Sequence, residues 1–324
     1  MADKYTNLIV SAAPHMNSPQ DTASIMRDVC IALIPALAVA VYVFGFQALI
    51  LTLVCCAACV FLEWATRRIM GRPDTTSDWS AMVTGLILAL NLPVTMPYWM
   101  AIIGCFAAIV VAKQIFGGLG QNFANPAIVG RIALFVGFAT QMSTWAVTPR
   151  MSSAIVNAAG ADAVSGATPL GLLAKGSTLP SNLEMFLGNI NGSMGEISAA
   201  ALIIGGVYLV IRKVISPIIP LSFIGSVALM SVVFGLDPIF QVCAGGVMLG
   251  AIFMATDYVT SPITNVGKVI FGIGCGVITV LIRMYGSYPE GVSFAILFMN
   301  ILTPHIDNMT KHVAFGMDKK GGKK

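Results

Sequence analysis

The segment Asp162 to Gly171, with the sequence DAVSGATPLG, contains the hydroxyl group that is best placed for chemistry. Ser165, Gly166 and Ala167 are small, so another enzyme and a bulky phosphate group can approach the Thr168 hydroxyl closely. A threonine needs an adjacent base to act as a nucleophile, and the three histidines all lie far from Thr168 in the sequence: His15, His305 and His312. The sequence therefore gives little support to a hydrolase with a Thr or Ser nucleophile. An ordinary Gly-Ala turn is the alternative for these small residues taken alone.

A glycine-rich segment with two asparagines, GGLGQNFANPA from Gly117 to Ala127, is a second candidate site. Its glycines permit a non-helical turn between two apolar runs. Asn122 and Asn125 offer amide donors and acceptors that can hold the edge of a ring system such as a flavin. The alternative is that they satisfy backbone groups freed where a helix breaks, and the sequence leaves both open. The segment ATDYVTSPIT, which begins at Ala255, is its predicted mirror.

Two carboxylates beside apolar runs are candidates for an ion pathway. Asp257 lies in the mirrored segment and Asp307 at the end of the last apolar run, where either can coordinate Na⁺ or relay H⁺ with backbone carbonyls. Solvation at a membrane surface, or pairing with Lys113, Arg131 or Lys268, is the alternative for each one. Three other carboxylates also lie in or beside apolar runs: Glu63, Asp78 and Asp237.

Metal and dinucleotide sites are not predicted in this chain. The sequence has no GxGxxG turn and no set of iron–sulfur ligands. The cysteines lie in apolar runs without metal-binding spacing and are interpreted as small buried hydrophobic residues: Cys30, Cys55, Cys56, Cys59, Cys105, Cys243 and Cys275.

The composition indicates an integral membrane protein. Hydrophobic residues make up 57% of the 324 residues and charged residues only 10%, and the mean hydropathy is +0.86. Soluble domains carry roughly 25% charged residues, so this chain has too little polar surface to cover a globule in water. The net charge of +4 is too small to indicate a nucleic-acid partner.

About ten apolar runs follow the polar N-terminus, and charge predicts their direction. Some runs are shorter than the roughly 20 helical residues that span a bilayer, so they must extend, tilt or form half-helices shielded by neighbours. With the N-terminus inside, 15 of the 18 Lys and Arg lie on the cytoplasmic side. This asymmetry predicts that both termini are cytoplasmic in the inner membrane of a prokaryotic cell.

The predicted fold is an all-α integral membrane protein of about ten transmembrane helices, in two inverted five-helix halves joined by a long external loop. Its parts are a cytoplasmic N-terminal segment (1–28), a first membrane half (29–142), an external loop (143–196), a second membrane half (197–307) and a cytoplasmic basic tail (308–324).

A weak internal repeat is visible in the sequence. Pro97 and Gly104 have the same spacing as Pro238 and Gly245, and Asn125-Pro126 is then matched with Ser261-Pro262 at a spacing that differs by about five residues.

The chain resembles a known family. Asp162, Ser165 and Thr168 followed by Pro-Leu, on the predicted external side, are similar to the flavinylation motif of RnfD in the Rnf electron-transport complex and of its relative NqrB in the Na⁺-translocating NADH:quinone reductase. The length favours RnfD, since the reductase protein typically has a longer N-terminal extension. The resemblance covers nearly the whole chain, in the strings SAAPH (11–15), MRDVCIALIPAL (26–37), KQIFGGLGQNFANPAIVGR (113–131), GSMGEIS (192–198), GAIFMATDYVTSPIT (250–264) and YPEGVSFAILFMNILTPHID (288–307).

The resemblance implies that a separate flavin transferase joins the phosphate of FMN to Thr168 through a phosphodiester. Ser165, Gly166 and Ala167, with Asp162, would form the rest of that motif. It also implies a noncovalent riboflavin near the loop of Asn122 and Asn125. The chain would be one electron carrier of an oxidoreductase that moves electrons between ferredoxin and NAD⁺, coupled to Na⁺ or H⁺ translocation.

The implied partners are the other Rnf subunits, including a second flavinylated subunit and iron–sulfur subunits. The chain would not be catalytic alone, because those subunits handle NAD⁺ and ferredoxin. Two other functions fit ten spans with Gly and Pro breaks. One is a solute channel or transporter without a redox cofactor, and the other is a structural scaffold for redox subunits.

Overall fold

The computed structural model of the protein describes residues 21–145, 168–174, 176, 179–188, 190–286 and 290–311. Every regular element in these ranges is helical, which confirms the all-α prediction. The first half contains α1 (Thr22–Phe44), α2 (Phe46–Ile69), α3 (Ser80–Leu90), α4 (Tyr98–Phe106), α5 (Pro126–Gly137) and α6 (Ala139–Met142). The second part contains α7 (Pro169–Ala174), α8 (Asn182–Leu187), α9 (Ala199–Ile211), α10 (Ile218–Val233), α11 (Pro238–Cys243), α12 (Val247–Leu249), α13 (Asn265–Tyr285) and α14 (Val292–Thr310). Wider π-helical turns extend α4 over Ala107–Gln114 and α12 over Gly250–Met254.

Three of the described helices, α1, α2 and α13, are long and apolar enough to cross a membrane by themselves. Helix α3 is apolar but has only 11 residues, a length of about 16 Å against a hydrocarbon core of about 30 Å. Nine of its residues are buried by neighbouring helices. Helix α3 is therefore a shielded half-helix, one of the alternatives predicted for the short runs.

Small residues allow the helices of each half to pack closely. A Cβ atom on Gly85 of α3 would lie 2.8 Å from the Cα atom of Cys56 on α2. In the second half, a Cβ atom on Gly276 of α13 would lie 2.9 Å from the backbone oxygen of Phe223 on α10. Close backbone approach through small residues is how helices associate in membranes, where burial of apolar surface gives no advantage over lipid contact.

The two halves run in opposite directions about α3. Lys113, at the end of the extended α4, reaches Ser80 at the start of α3, with 2.6 Å between Nζ and Oγ. Asn91, just past the other end of α3, accepts a hydrogen bond from Arg131, which also contacts Glu290 in the link after α13. The C-terminal ends of α4 and α13 therefore lie at opposite ends of α3, as an inverted repeat requires.

The structure changes the correspondence between the halves. Helices α4 and α13 are each the fourth of their half, counting α11 and α12 as one broken helix. Gly104-Cys105 precedes Lys113 by the same spacing as Gly274-Cys275 precedes Arg283. The match of Pro97 with Pro238 instead pairs the fourth helix of one half with the third of the other. In an inverted repeat, the fourth helix of one half runs in the same direction as the third helix of the other half. The match of Pro97 with Pro238 therefore does not follow the inverted symmetry.

Candidate functional site

Thr168 lies at the N-terminal end of α7. Its hydroxyl oxygen accepts a hydrogen bond from the backbone N–H of Gly171 at 3.1 Å, and the residue is 6% exposed. This bond satisfies one of the free N–H groups of the first helical turn. Within the part of the chain that the structure describes, the hydroxyl proton has no acceptor. The other residues of the predicted motif, Asp162, Ser165, Gly166 and Ala167, lie outside the described residues.

A glycine turn between α11 and α12 holds α7 in place. Gly245 has φ +64°, a left-handed conformation that L side chains rarely adopt. A Cβ atom there would lie 2.9 Å from Leu170 Cδ1 of α7 and 2.9 Å from Arg283 Nη2 of α13. A side chain at this turn would therefore be strained by the positive φ and would displace the ends of the Leu170 and Arg283 side chains.

The adjacent Gly246 faces a buried group of charges, here called the Arg131 cluster, which consists of Arg131, Glu196 and Glu290. Arg131 Nη2 lies 2.5 Å from Glu290 Oε2 and 3.5 Å from Glu196 Oε1. A Cβ atom on Gly246 would lie 3.3 Å from Glu196 Oε1 and 3.5 Å from Arg131 Nη1. The Gly245-Gly246 turn thus separates the helix that follows Thr168 from this cluster.

The Arg131 cluster joins the two halves of the protein. Arg131 belongs to α5, while Glu196 precedes α9 and Glu290 precedes α14. Arg131 Nη1 also donates to the Asn91 side chain and to the Ser293 hydroxyl, each at 3.0 Å. Arg131 is one of the 15 basic residues that the charge pattern predicts on the cytoplasmic side. It lies within α5 and is paired inside the protein with Glu196 and Glu290.

Both carboxylates of this cluster are paired with the same arginine, and Glu290 is the one whose pKa is raised. Burial and the neighbouring charge of Glu196 raise the pKa of Glu290 from 4.5 to about 7, although the charges of Arg131 and Arg283 act in the opposite direction. The folded protein therefore holds this proton more tightly than the unfolded chain. Its stabilising contribution is fully present below about pH 4.5 and is lost as the pH rises through 7.

We expect the apparent unfolding temperature of the purified protein to fall between pH 5 and pH 7.5, and Glu290→Gln to reduce that fall. Glutamine can still accept the Arg131 hydrogen bond but cannot ionise. Glu184→Gln is the matched control, since Glu184 is exposed and a glutamine can accept the same capping hydrogen bond from Ser181. Equal pH slopes for the wild type and Glu290→Gln would show that Glu290 does not titrate in this range.

A second buried group of charges, the Glu63 cluster, lies at the start of α3. Glu63 is fully buried, and its two carboxylate oxygens accept hydrogen bonds from Lys113 Nζ at 2.8 and 3.0 Å. Gln114 and Thr75 donate further hydrogen bonds to Glu63 Oε1 at 2.8 and 3.1 Å. Lys113 Nζ uses its third N–H on Ser80, so both charges of the pair are satisfied.

The candidates Asn122, Asn125 and Asp257 come together at one cleft between the halves, beside Lys113. The cleft has about 750 Å³ of empty space, including its open mouth. Asn125 caps α5 by accepting from the Ala127 N–H and donates to the Met254 carbonyl, each at 3.0 Å. It therefore has the backbone-satisfying role that the sequence left open.

Asn122 and Asp257 are more accessible to a ligand in this cleft than Asn125 is. The Asn122 amide donates to the Ala124 carbonyl at 3.1 Å and lies 3.5 Å from Asp257 Oδ2, which also accepts from Thr260. Asp307 is not part of this cleft, because it accepts a hydrogen bond from the Ile263 backbone N–H at 3.0 Å and so anchors the segment before α13. The two predicted ion-pathway carboxylates thus have separate surroundings.

The comparison with known proteins identifies the family. A family model described as the NQR2, RnfD, RnfE family matches residues 9–316. The chain belongs to the NQR2, RnfD, RnfE family. The resemblance of the sequence to RnfD of the Rnf complex is thereby confirmed.

Members of the NQR2, RnfD, RnfE family with high identity cover almost the whole chain. In Acetobacterium woodii, the subunit designated D of the Na⁺-translocating ferredoxin:NAD⁺ oxidoreductase complex is 47% identical, over 97% of this chain and 96% of the relative. Its counterpart in the proton-translocating ferredoxin:NAD⁺ oxidoreductase complex of Clostridium ljungdahlii is 42% identical, over 95% of this chain and 96% of the relative. The counterpart in the ion-translocating oxidoreductase complex of Stutzerimonas stutzeri is 39% identical, over 92% and 93%.

Proposed function

We propose that this chain is a membrane subunit of an Rnf-type ion-translocating oxidoreductase, in which electron transfer between ferredoxin and NAD⁺ is coupled to movement of Na⁺ or H⁺. The observation that carries the proposal is the 47% identity, over nearly the full length of both chains, to a relative that is named as a subunit of such a complex. Similarity does not choose the ion, because one relative is named for sodium and another for protons.

FMN bound covalently to Thr168 is the cofactor that we propose for this subunit. Attachment replaces the hydroxyl proton by a bond from Oγ1 to the phosphorus of FMN, with formal loss of one water. The Thr168 hydroxyl fits this role, because its proton is not engaged by a described residue and its oxygen only accepts the Gly171 N–H. A separate transferase supplies the activation, since no described residue places a base in hydrogen-bond contact with this hydroxyl.

The bound flavin supplies one- and two-electron redox chemistry, and the protein positions it and sets its electrostatic surroundings. Thr168 is buried, so the transferase must reach it before α7 packs against the Gly245 turn or when α7 opens locally. In the topology predicted from charge, this end of the protein faces away from the cytoplasm and both termini are cytoplasmic. NAD⁺, ferredoxin and the iron–sulfur centres belong to partner subunits.

The cleft beside Asn122 is the site that we propose for a noncovalent riboflavin. Its walls are mostly apolar, and Thr84 and Asp257 add a few polar groups, which is the usual lining of a small-molecule site. Asn122 is the ring-edge partner in this proposal, because both functional groups of the Asn125 amide are already engaged. Asp257 and Asp307 remain the proposed ion-pathway carboxylates.

Mass spectrometry of the chain purified from its native host tests the covalent cofactor. Cleavage after Arg150 and Lys175 releases one tryptic peptide, residues 151–175, that contains Thr168. We expect this peptide to carry one FMN less one water, and fragmentation to place it on Thr168 rather than on the other hydroxyl residues of the peptide: Ser152, Ser153 and Ser165. An unmodified peptide would contradict the proposal and favour a channel or transporter without a flavin.

A further inference from the structure

Arg283 carries a buried positive charge with no ion-pair partner among the described residues. Its guanidinium donates to the Gln241 carbonyl at 2.6 Å, to the Gln241 side-chain oxygen at 2.8 Å and to the Ala244 carbonyl at 2.7 Å. All three acceptors are neutral, and the buried Nε has no hydrogen-bond partner. Glu196 and Glu290 also act on this charge, but from beyond ion-pair distance. A buried cation whose direct contacts are all dipoles favours an anion that can come closer.

The corresponding cation of the other half is arranged differently. Lys113 occupies the equivalent position at the end of α4, and its charge is neutralised by Glu63 at 2.8 Å. No carboxylate of the described chain lies within 4.0 Å of the Arg283 guanidinium, because Glu196 and Glu290 are both paired with Arg131. The inverted repeat therefore places two buried cations at opposite ends of the protein, and of these two only Lys113 is in direct contact with a carboxylate.

Arg283 is also the cation next to the helix that begins after Thr168. Arg283 Nη2 and Leu170 Cδ1 each lie 2.9 Å from the point where a Cβ atom on Gly245 would stand, so they are no more than twice that distance apart. Leu170 is two residues after Thr168. Because Gly245 lacks a side chain, the guanidinium and α7 share one small space.

We propose that Arg283 is the counter-cation for the negative charge that arrives on the Thr168-bound flavin when it is reduced. The inference rests on the covalent FMN proposed above. One electron from a redox partner converts the neutral oxidised ring into an anion, and no bond or proton transfer is needed in that step. A guanidinium near this ring stabilises the reduced form over the oxidised form, and Arg283 acts as a residue that positions charge rather than as a catalytic residue.

The expected size of the effect follows from Coulomb's law. Two unit charges about 10 Å apart, at an effective dielectric constant of about 20, interact strongly enough to change the ratio of reduced to oxidised flavin about tenfold. Arg283→Met should lower that ratio about tenfold at a fixed ambient potential. Arg283→Lys retains the charge and should keep most of the wild-type ratio.

The test is a reductive titration of the covalent flavin, followed by absorbance, in the whole complex purified with its native transferase. The spectrum of a Thr168→Val complex is subtracted to remove the other flavins. Arg212→Met is the matched control, because it removes one positive charge from an exposed arginine that is paired with Asp28. We expect a shift toward more negative potential for Arg283→Met and no shift for Arg212→Met.

Fluorescence of the chain on a denaturing gel separates failure of this inference from failure of the proposed function. A wild-type chain without flavin would refute the covalent cofactor itself. A flavinylated Arg283→Met complex with an unchanged titration would overturn the role of Arg283 alone. Where Arg283→Met does not assemble, Arg283→Gln, which can still donate to the Gln241 carbonyl, takes its place.

A comparison without substitutions covers the case in which neither variant assembles. The folded wild-type complex should hold the one-electron-reduced flavin at a more positive potential than the isolated flavinylated peptide 151–175 does. An equal or more negative potential in the folded complex would overturn the proposal.

Discussion

Thr168→Val is expected to remove all covalently bound flavin from the chain. Valine has nearly the shape of threonine but has no oxygen through which a phosphodiester can form. The native chain, produced together with its transferase, should fluoresce on a denaturing gel, and the variant should not. Ferredoxin-dependent reduction of NAD⁺ by the assembled complex should be lost in parallel, because one carrier of the electron path is missing.

The variant should fold, so the loss can be assigned to the cofactor. Thr168 accepts one hydrogen bond at the start of α7, and loss of such a cap costs about 1 kcal/mol. Thr168→Ser retains a hydroxyl and should keep detectable flavin. Thr95→Val is a matched control, since it removes a hydroxyl that is bonded to the Thr144 carbonyl and leaves the attachment point intact.

Two other results would point elsewhere. Fluorescence that persists in Thr168→Val would place the attachment on another residue. Loss of flavin with undiminished electron transfer would favour the scaffold function, in which other subunits carry the electrons.

The helices could be predicted from apolar runs, because a segment that spans a bilayer must satisfy all its backbone hydrogen bonds internally. The ends of the helices could not be predicted in this way. The first predicted half begins at residue 29 because hydropathy excludes Asp28, whereas α1 begins at Thr22, capped by Asp21. Asp28 is tolerated inside α1 because it pairs with Arg212 and Tyr208 at the end of α9. That partnership depends on tertiary structure.

Sequence alone can indicate a candidate residue where the signal lies in one short segment. Thr168 is proposed from the residues that flank it and stays a prediction, whereas the capping position of Asn125, which the structure shows, agrees with an Asn-Pro pair at the start of an apolar run. The Arg131 cluster was missed, because its members are distant in sequence and hydropathy assigned Glu196 to a loop. The useful signal would have been that Arg131 and Arg283 fall within apolar runs, where an ionisable side chain needs a partner.

Lys113→Met is expected to destabilise the protein more than any other single substitution of a described charge outside the Arg131 cluster. It leaves Glu63, which is fully buried, without its cation at 2.8 Å. Breaking a buried pair by removing one partner typically costs about 3–5 kcal/mol, because the remaining buried charge loses its direct counter-ion. The hydrogen bonds from Gln114 and Thr75 stay, and Arg67 Nε remains 3.9 Å from Glu63 Oε1, which is a weaker pairing than the Lys113 contact at 2.8 Å.

The measurement is the apparent unfolding temperature of the complex in detergent, compared at one heating rate because membrane proteins commonly unfold irreversibly. A fall of roughly 10 °C corresponds to the expected loss. The double variant Glu63→Gln with Lys113→Met removes both charges and should recover most of that fall, because glutamine is neutral and similar in size. Arg212→Met is the control, because it breaks the ion pair between Arg212 and Asp28. The Arg212 side chain is 55% exposed, so this change should cost less than about 1 kcal/mol.

The double variant decides between two physical explanations of the Glu63 cluster. Recovery of stability means that the single variant fails because of an uncompensated charge, and that helices α2, α3 and α4 pack without the ion pair. If the double variant is as unstable as Lys113→Met, the Nζ contacts themselves hold α4 to α3 through Ser80, and the charge of Glu63 is not the cause. Unchanged stability in Lys113→Met would contradict both explanations.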